Sequence, residues 1–225
     1  RWYVMSFVRF LRYCAAFLSF AIPGFYLALT TFHPAMIPTS LTFSIAAARE
    51  GVPFPALIEV LIMELAFELL REAGVRLPAP IGNTIGIVGG LIVGQAVVEA
   101  NLVSPIIVII VALTAISSFA IPSYSLTSAF RIIKYLIIIL SAFLGFLGFW
   151  LGILIILTHL VSLKSINIPY LSPYVARETN NEDLQDSLIR MPIFLNKLRP
   201  VFAKRSNKVR LDIDEKGENN VFTKQ

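Results

Sequence analysis

Ile81-Gly82-Asn83-Thr84-Ile85-Gly86-Ile87-Val88-Gly89-Gly90-Leu91-Ile92-Val93-Gly94-Gln95-Ala96-Val97-Val98-Glu99-Ala100-Asn101 is apolar enough to cross a bilayer, and Pro80 and Pro105 close it at either end. Gly82, Gly86, Gly90 and Gly94 recur at every fourth position. At about 100° per residue they form a slowly drifting stripe on one side of a helix. In lipid, helices associate through close backbone approach, which small residues at i, i+4 permit. Thr84, Gln95 and Glu99 fall roughly opposite the stripe, on a second face ill-suited to acyl chains. Both faces want protein or water. The pattern fits an oligomer or bundle around a wet path, and equally a structural helix with Glu99 at the headgroups.

Working outward, the whole chain has a membrane composition. It is 56% hydrophobic and 15% charged, with a mean hydropathy of +0.76, outside the range of ordinary soluble domains. Of the charged residues, 11 basic and 8 acidic ones lie from Lys164 onward. A membrane body, 1–163, is thus followed by a polar tail, 164–225. The single Cys14 excludes a disulfide framework. His33 and His159 lack further ligands at metal spacing, and no phosphate-binding glycine loop, nucleophile elbow or catalytic carboxylate pair is present. Neither an enzyme, a cofactor nor a metal centre is expected. The net charge of +5 sits in the flanks and tail, where anionic lipid is a sufficient partner, so nucleic acid is not implied.

The expected fold class is an all-α integral membrane protein. It has about four transmembrane helices, at 7–31, 81–101, 105–121 and 135–163, each long enough for a core about 30 Å thick. Pro23-Gly24 should kink the first. Two amphipathic helices, 39–50 and 56–73, are expected to be interfacial or re-entrant. The second carries Glu64, Glu68, Arg71 and Glu72 on one face, most simply a polar side in water. Glu59 points elsewhere, among Ile58, Val60, Leu61 and Ile62. A lone carboxylate there costs several kcal/mol unless protonated, paired or hydrated, which makes it a functional candidate. Glu59, Glu64 and Glu68 are the acidic groups placed to attract cations.

With four spans, Arg1, Arg9 and Arg12 share a side with the basic tail, and the positive-inside rule puts both in the cytoplasm. The end, 205–225, is polar enough to be disordered. Opening on Arg1 predicts a piece of a longer chain.

Several runs carry a resemblance: Phe32-His33-Pro34, Met36-Ile37-Pro38-Thr39, Ser44 to Pro55, Leu69 to Pro78, Ile85 to Gly90, Ile121-Pro122-Ser123-Tyr124-Ser125 and Pro169 to Pro173. In this order they resemble the membrane half of the GerA family, the A subunits of nutrient germinant receptors in endospore-forming bacteria, without their soluble N-terminal domain. The resemblance implies a multi-pass protein of the spore inner membrane. It also implies a transporter-like B subunit and a lipoprotein C subunit as partners, and release of monovalent cations during germination. The family is thought to build an oligomeric cation channel from its A subunits.

Residues and resemblance meet at one mechanism. Copies of the glycine helix pack around an axis, with Gln95 and Glu99, or the stripe itself, lining a narrow path, and the acidic groups of 56–73 concentrate cations at its mouth. A non-conducting scaffold is the alternative. A secondary transporter is less well supported, because neither an internal repeat nor a pair of broken helices is evident.

Overall fold

A computed structural model describes residues 2–165, 168–171 and 174. The tail and its end at 205–225 fall largely outside them. The described chain is nearly all-α: α1 (Trp2–Leu27), a π turn (Ala28–Phe32), a 3-10 turn (Pro34–Met36), α2 (Thr39–Arg49), α3 (Ala56–Arg76), α4 (Ala79–Glu99), α5 (Pro105–Phe119) and α6 (Tyr124–Ser162). A short antiparallel pair succeeds α6, β1 (Lys164–Ser165) with β2 (Ile168–Pro169). Two compact units emerge: 15–156, and 2–14 with the described residues from 157 onward. The hydrophobic core and the charged residues of α3 belong to the first.

Proline sets the helix starts. Pro55 and Pro78 precede α3 and α4, and Pro105 opens α5, where a fixed φ and a missing N–H cost nothing. Asn101 turns the chain between α4 and α5 at φ 51°, a left-handed conformation that asparagine tolerates better than most residues.

Pro23 lies inside α1, and the helix continues past it. Its neighbour Gly24 serves packing: a Cβ there would stand 2.6 Å from Ile137 Cγ2 and 3.0 Å from Ser141 Oγ. Phe20 also meets Phe130, with ring centroids 5.3 Å apart. Side by side, α1 and the first half of α6 therefore run in the same direction.

The run expected to span as one piece, 135–163, is divided. Gly145 takes φ 60°, ψ −135°, a conformation open essentially to glycine alone. Beyond it the helix folds back. A Cβ on Gly152 would stand 3.2 Å from Ile137 Cγ1, and one on Gly148 would strike the Leu140 carbonyl. In a straight helix, residues 137 and 152 would stand about 22 Å apart at 1.5 Å per residue. The segments 124–144 and 146–156 thus form a hairpin, with Phe32 packed against its tip.

The core joins Tyr26 and Leu27 of α1, Val60 and Met63 of α3, Ile107 and Val111 of α5, and Ile138 of α6. Large apolar side chains also face outward, among them Phe43, Phe119, Ile132 and Phe143, each more than 70% exposed. So much outward apolar surface is expected against lipid or other membrane chains. Trp2–Phe32 and Tyr124–Ser162 are long and apolar enough to cross a membrane by length and composition, the second being the divided helix; Val88–Glu99 and Pro105–Phe119 are shorter apolar stretches.

Candidate functional site: the α3 ion-pair ladder and the α4 glycine face

The charged residues of α3 meet partners on three other helices. Glu59 is fully buried, with Oε1 3.2 Å from Arg49 Nε and 3.1 Å from Arg49 Nη2. Its Oε2 accepts a hydrogen bond from the Ser104 amide at 2.9 Å. Ser104 is the N-cap of α5, so this carboxylate satisfies an otherwise orphan donor at the positive end of a helix. Glu59 is thus paired and hydrogen-bonded, and it fastens α2, α3 and α5 together.

Further along α3, Glu64 is buried and paired with Lys134 of α6, itself buried. The Lys134 ammonium also lies 5.4 Å from the centroid of the Tyr135 ring, close enough for the ring face to attract it. Glu68 pairs with Arg131 of α6, whose Nη2 donates to Ser128 Oγ at 2.9 Å. Arg71 Nη2 donates to Ser118 Oγ of α5 at 2.9 Å. Only Glu72 follows the expectation of a water-facing stripe, pairing with exposed Arg76 on the same helix. The face expected in water instead carries a ladder against α5 and α6. Each of the three acidic candidates has a cation beside it, so the ladder exerts little net pull on a free cation.

Three of the four stripe glycines of α4 rest against their own chain. A Cβ on Gly82 would strike the Gly74 carbonyl of α3, one on Gly90 would stand 3.9 Å from Phe67, and one on Gly94 3.6 Å from Val108 of α5; at Gly86 nothing lies within 4 Å. Gly89, which is off the stripe, is tighter, with Leu70 Cδ2 2.8 Å from its would-be Cβ. Close backbone approach is thus confined to Gly82 against α3, while Gly90 and Gly94 make ordinary side-chain contacts with α3 and α5.

Between these helices lies a groove of about 710 Å3. Phe67, Leu70 and Arg71 of α3 and Gly82, Gly86 and Gly90 of α4 line it, with α5 as the third wall. Gln95 and Glu99 are exposed. They border a recess of about 380 Å3 that they share with Gly90 and Gly94, so the polar and glycine faces adjoin at this end of α4. Glu99 has no ion pair among the described residues. Also among the described residues, no group of three His, Cys, Asp or Glu is placed to hold a metal ion.

Outward apolar helices whose charges pair internally define a helical membrane protein. Comparison with known sequences is specific about which kind: residues 1–202 match the family described as Bacillus/Clostridium GerA spore germination protein, and the chain belongs to that family. It is 47% identical over 218 residues to spore germination protein KA of Bacillus subtilis (strain 168), covering 97% of this chain and 40% of that protein. It is 44% identical to spore germination protein GerLA of Bacillus cereus, over 91% of this chain and 41% of the other. To spore germination protein A1 of Bacillus subtilis (strain 168) it is 43% identical, over 96% and 44%. The chain thus spans well under half the length of these relatives. No solved structure matches it.

Proposed function

We propose that this chain is the membrane part of an A-type subunit of a nutrient germinant receptor in the spore inner membrane. In this reading copies of it assemble, and Gln95 and Glu99 of α4 border a monovalent-cation path that the assembly forms or gates. A transporter-like B subunit and a lipoprotein C subunit are its partners. Family membership supports the germination role.

Glu99 carries the conduction role. The α3 carboxylates Glu59, Glu64, Glu68 and Glu72 all have a basic partner, whereas Glu99, at the end of an apolar helix, is exposed and has none among the described residues. An acidic side chain without a counter-ion at the end of an apolar helix can attract cations to the mouth of a path, and repetition in each copy would form an acidic ring. The second reading, a non-conducting scaffold that couples the partner subunits, draws support from the ladder, whose neutralised charges hold helices together.

Monovalent-cation release from spores separates the two. The full-length subunit carries Glu99→Gln or Glu99→Lys, and immunoblots establish equal amounts. Release slowed by Gln and stopped by Lys is the expected result. Release unchanged in both would leave the scaffold.

A further inference from the structure

The turn between α4 and α5 separates Glu99 from the buried Glu59 carboxylate by a few residues. The amides of Asn101, Leu102 and Val103 fix the start of this turn to α4, donating to Val98 O at 3.0 Å and to Val97 O at 3.0 and 3.4 Å. Its second half is buried, with Val103 and Ser104 1% and 0% exposed. Pro105 follows at once, opening α5, and it lines the recess of about 380 Å3 together with Val98 and Glu99 of α4. The spacing between the α4 and α5 walls of that recess is thus set at residues 101–104.

Both ends of the turn are also held from α2 and its neighbours. Glu59 Oε2 accepts from the Ser104 amide at 2.9 Å, while Oε1 accepts from Arg49, the last residue of α2. Hydrogen bonds to an ionised carboxylate are among the stronger ones, and this one sits at the positive end of α5. Two residues beyond Arg49, Gly51 lies beside the other end of the turn, where a Cβ would stand 3.4 Å from Asn101 Oδ1. We infer that Arg49 and Glu59 are positioning residues for Glu99: acting through Ser104, they transmit the placement of α2 to the walls of the recess. On the reading that Glu99 borders a cation path, this spacing governs cation entry. α2 is an accessible handle for it, with Leu41 and Phe43 52% and 76% exposed.

Two measurements on the full-length subunit test the link. In the first, Ala100→Cys as the only cysteine carries a nitroxide beside Glu99, and electron paramagnetic resonance in nanodiscs reads its mobility. Glu59→Gln should free the label, because glutamine has one acceptor oxygen and cannot serve Arg49 and Ser104 together. Arg49→Met, which keeps bulk and loses charge, should free it too, and Arg49→Lys should keep the wild-type spectrum. Spectra unchanged in Glu59→Gln and Arg49→Met overturn the inference, whatever happens to cation release. In the second, monovalent-cation release from spores is compared for Glu59→Gln, Glu99→Gln and the double variant, at amounts matched by immunoblot. Glu59→Gln should slow release severalfold alone and not at all in the Glu99→Gln background, since both changes act through one group. Slowing by the product of the two single factors overturns the positioning role. Wild-type release in Glu99→Gln alone removes the conduction reading instead, and the spectra still decide whether α2 holds the turn.

Discussion

Glu59 on α3 reaches Ser104 at the start of α5, accepting its amide proton at 2.9 Å across 45 positions of sequence. With Arg49 on the other carboxylate oxygen, one side chain holds the end of α2, the first turn of α3 and the N-terminus of α5.

Removing that carboxylate should therefore act on stability before it acts on germination. Glu59→Ala leaves the Arg49 charge and the Ser104 amide without their acceptor, a loss of about 3–5 kcal/mol for a broken buried pair. Glu59→Gln keeps an acceptor for the amide and should cost less. Unfolding in mixed micelles, followed by circular dichroism against denaturant, checks the order. Equal stability of wild type and Glu59→Ala would return Glu59 to the status of an unexplained buried acid.

The Glu64–Lys134 pair invites a double-mutant cycle. Lys134→Met strands a buried carboxylate and should destabilise by about 3–5 kcal/mol, and Glu64→Leu, which strands the ammonium, should do the same. Combining the two strands neither member of the pair and should recover most of that loss, a coupling that the cycle reads directly. Denaturant unfolding of the three variants supplies the numbers. A double variant that loses the sum of the two single losses would show that the pair contributes nothing to holding α3 on α6.

Two glycines on one stripe should behave oppositely. Gly82→Ala places a methyl group against the Gly74 carbonyl and should force α3 and α4 apart, at about 1–3 kcal/mol for an overpacked contact. Gly86→Ala meets nothing within 4 Å and should be neutral, or stabilising by up to about 1 kcal/mol, since alanine is the better helix former. Thermal unfolding of both variants in detergent decides it. Equal effects would mean that the stripe packs elsewhere than on α3.

Much of the helical layout is legible in the sequence, because prolines mark the starts of α3, α4 and α5 and apolar runs mark their lengths. The ladder is harder to see. A stripe of Glu64, Glu68 and Arg71 looks the same whether water or another helix faces it, and its partners lie 63 and 70 positions away. The signal is nonetheless present: Glu64 and Glu68, one turn apart, are matched by Lys134 and Arg131, also one turn apart. Gly145 is the opposite case. The run 135–163 reads as one span, because a reversal requiring positive φ at one residue leaves no mark in hydropathy. The glycine stripe of α4 names a tightly packed face without naming its partner, and α3 proves to be that partner through Gly74, itself a small residue near a helix end.

The reversal at Gly145 alters an arithmetic of parity. A continuous helix carries the chain across a bilayer once, whereas a fold-back carries it across twice or not at all, so the chain at Ile156 comes out on the side from which Tyr124 went in. Charges that argued for keeping α3 at the surface are those the ladder neutralises. A helix whose acids each carry their own counter-ion no longer needs water to be charged.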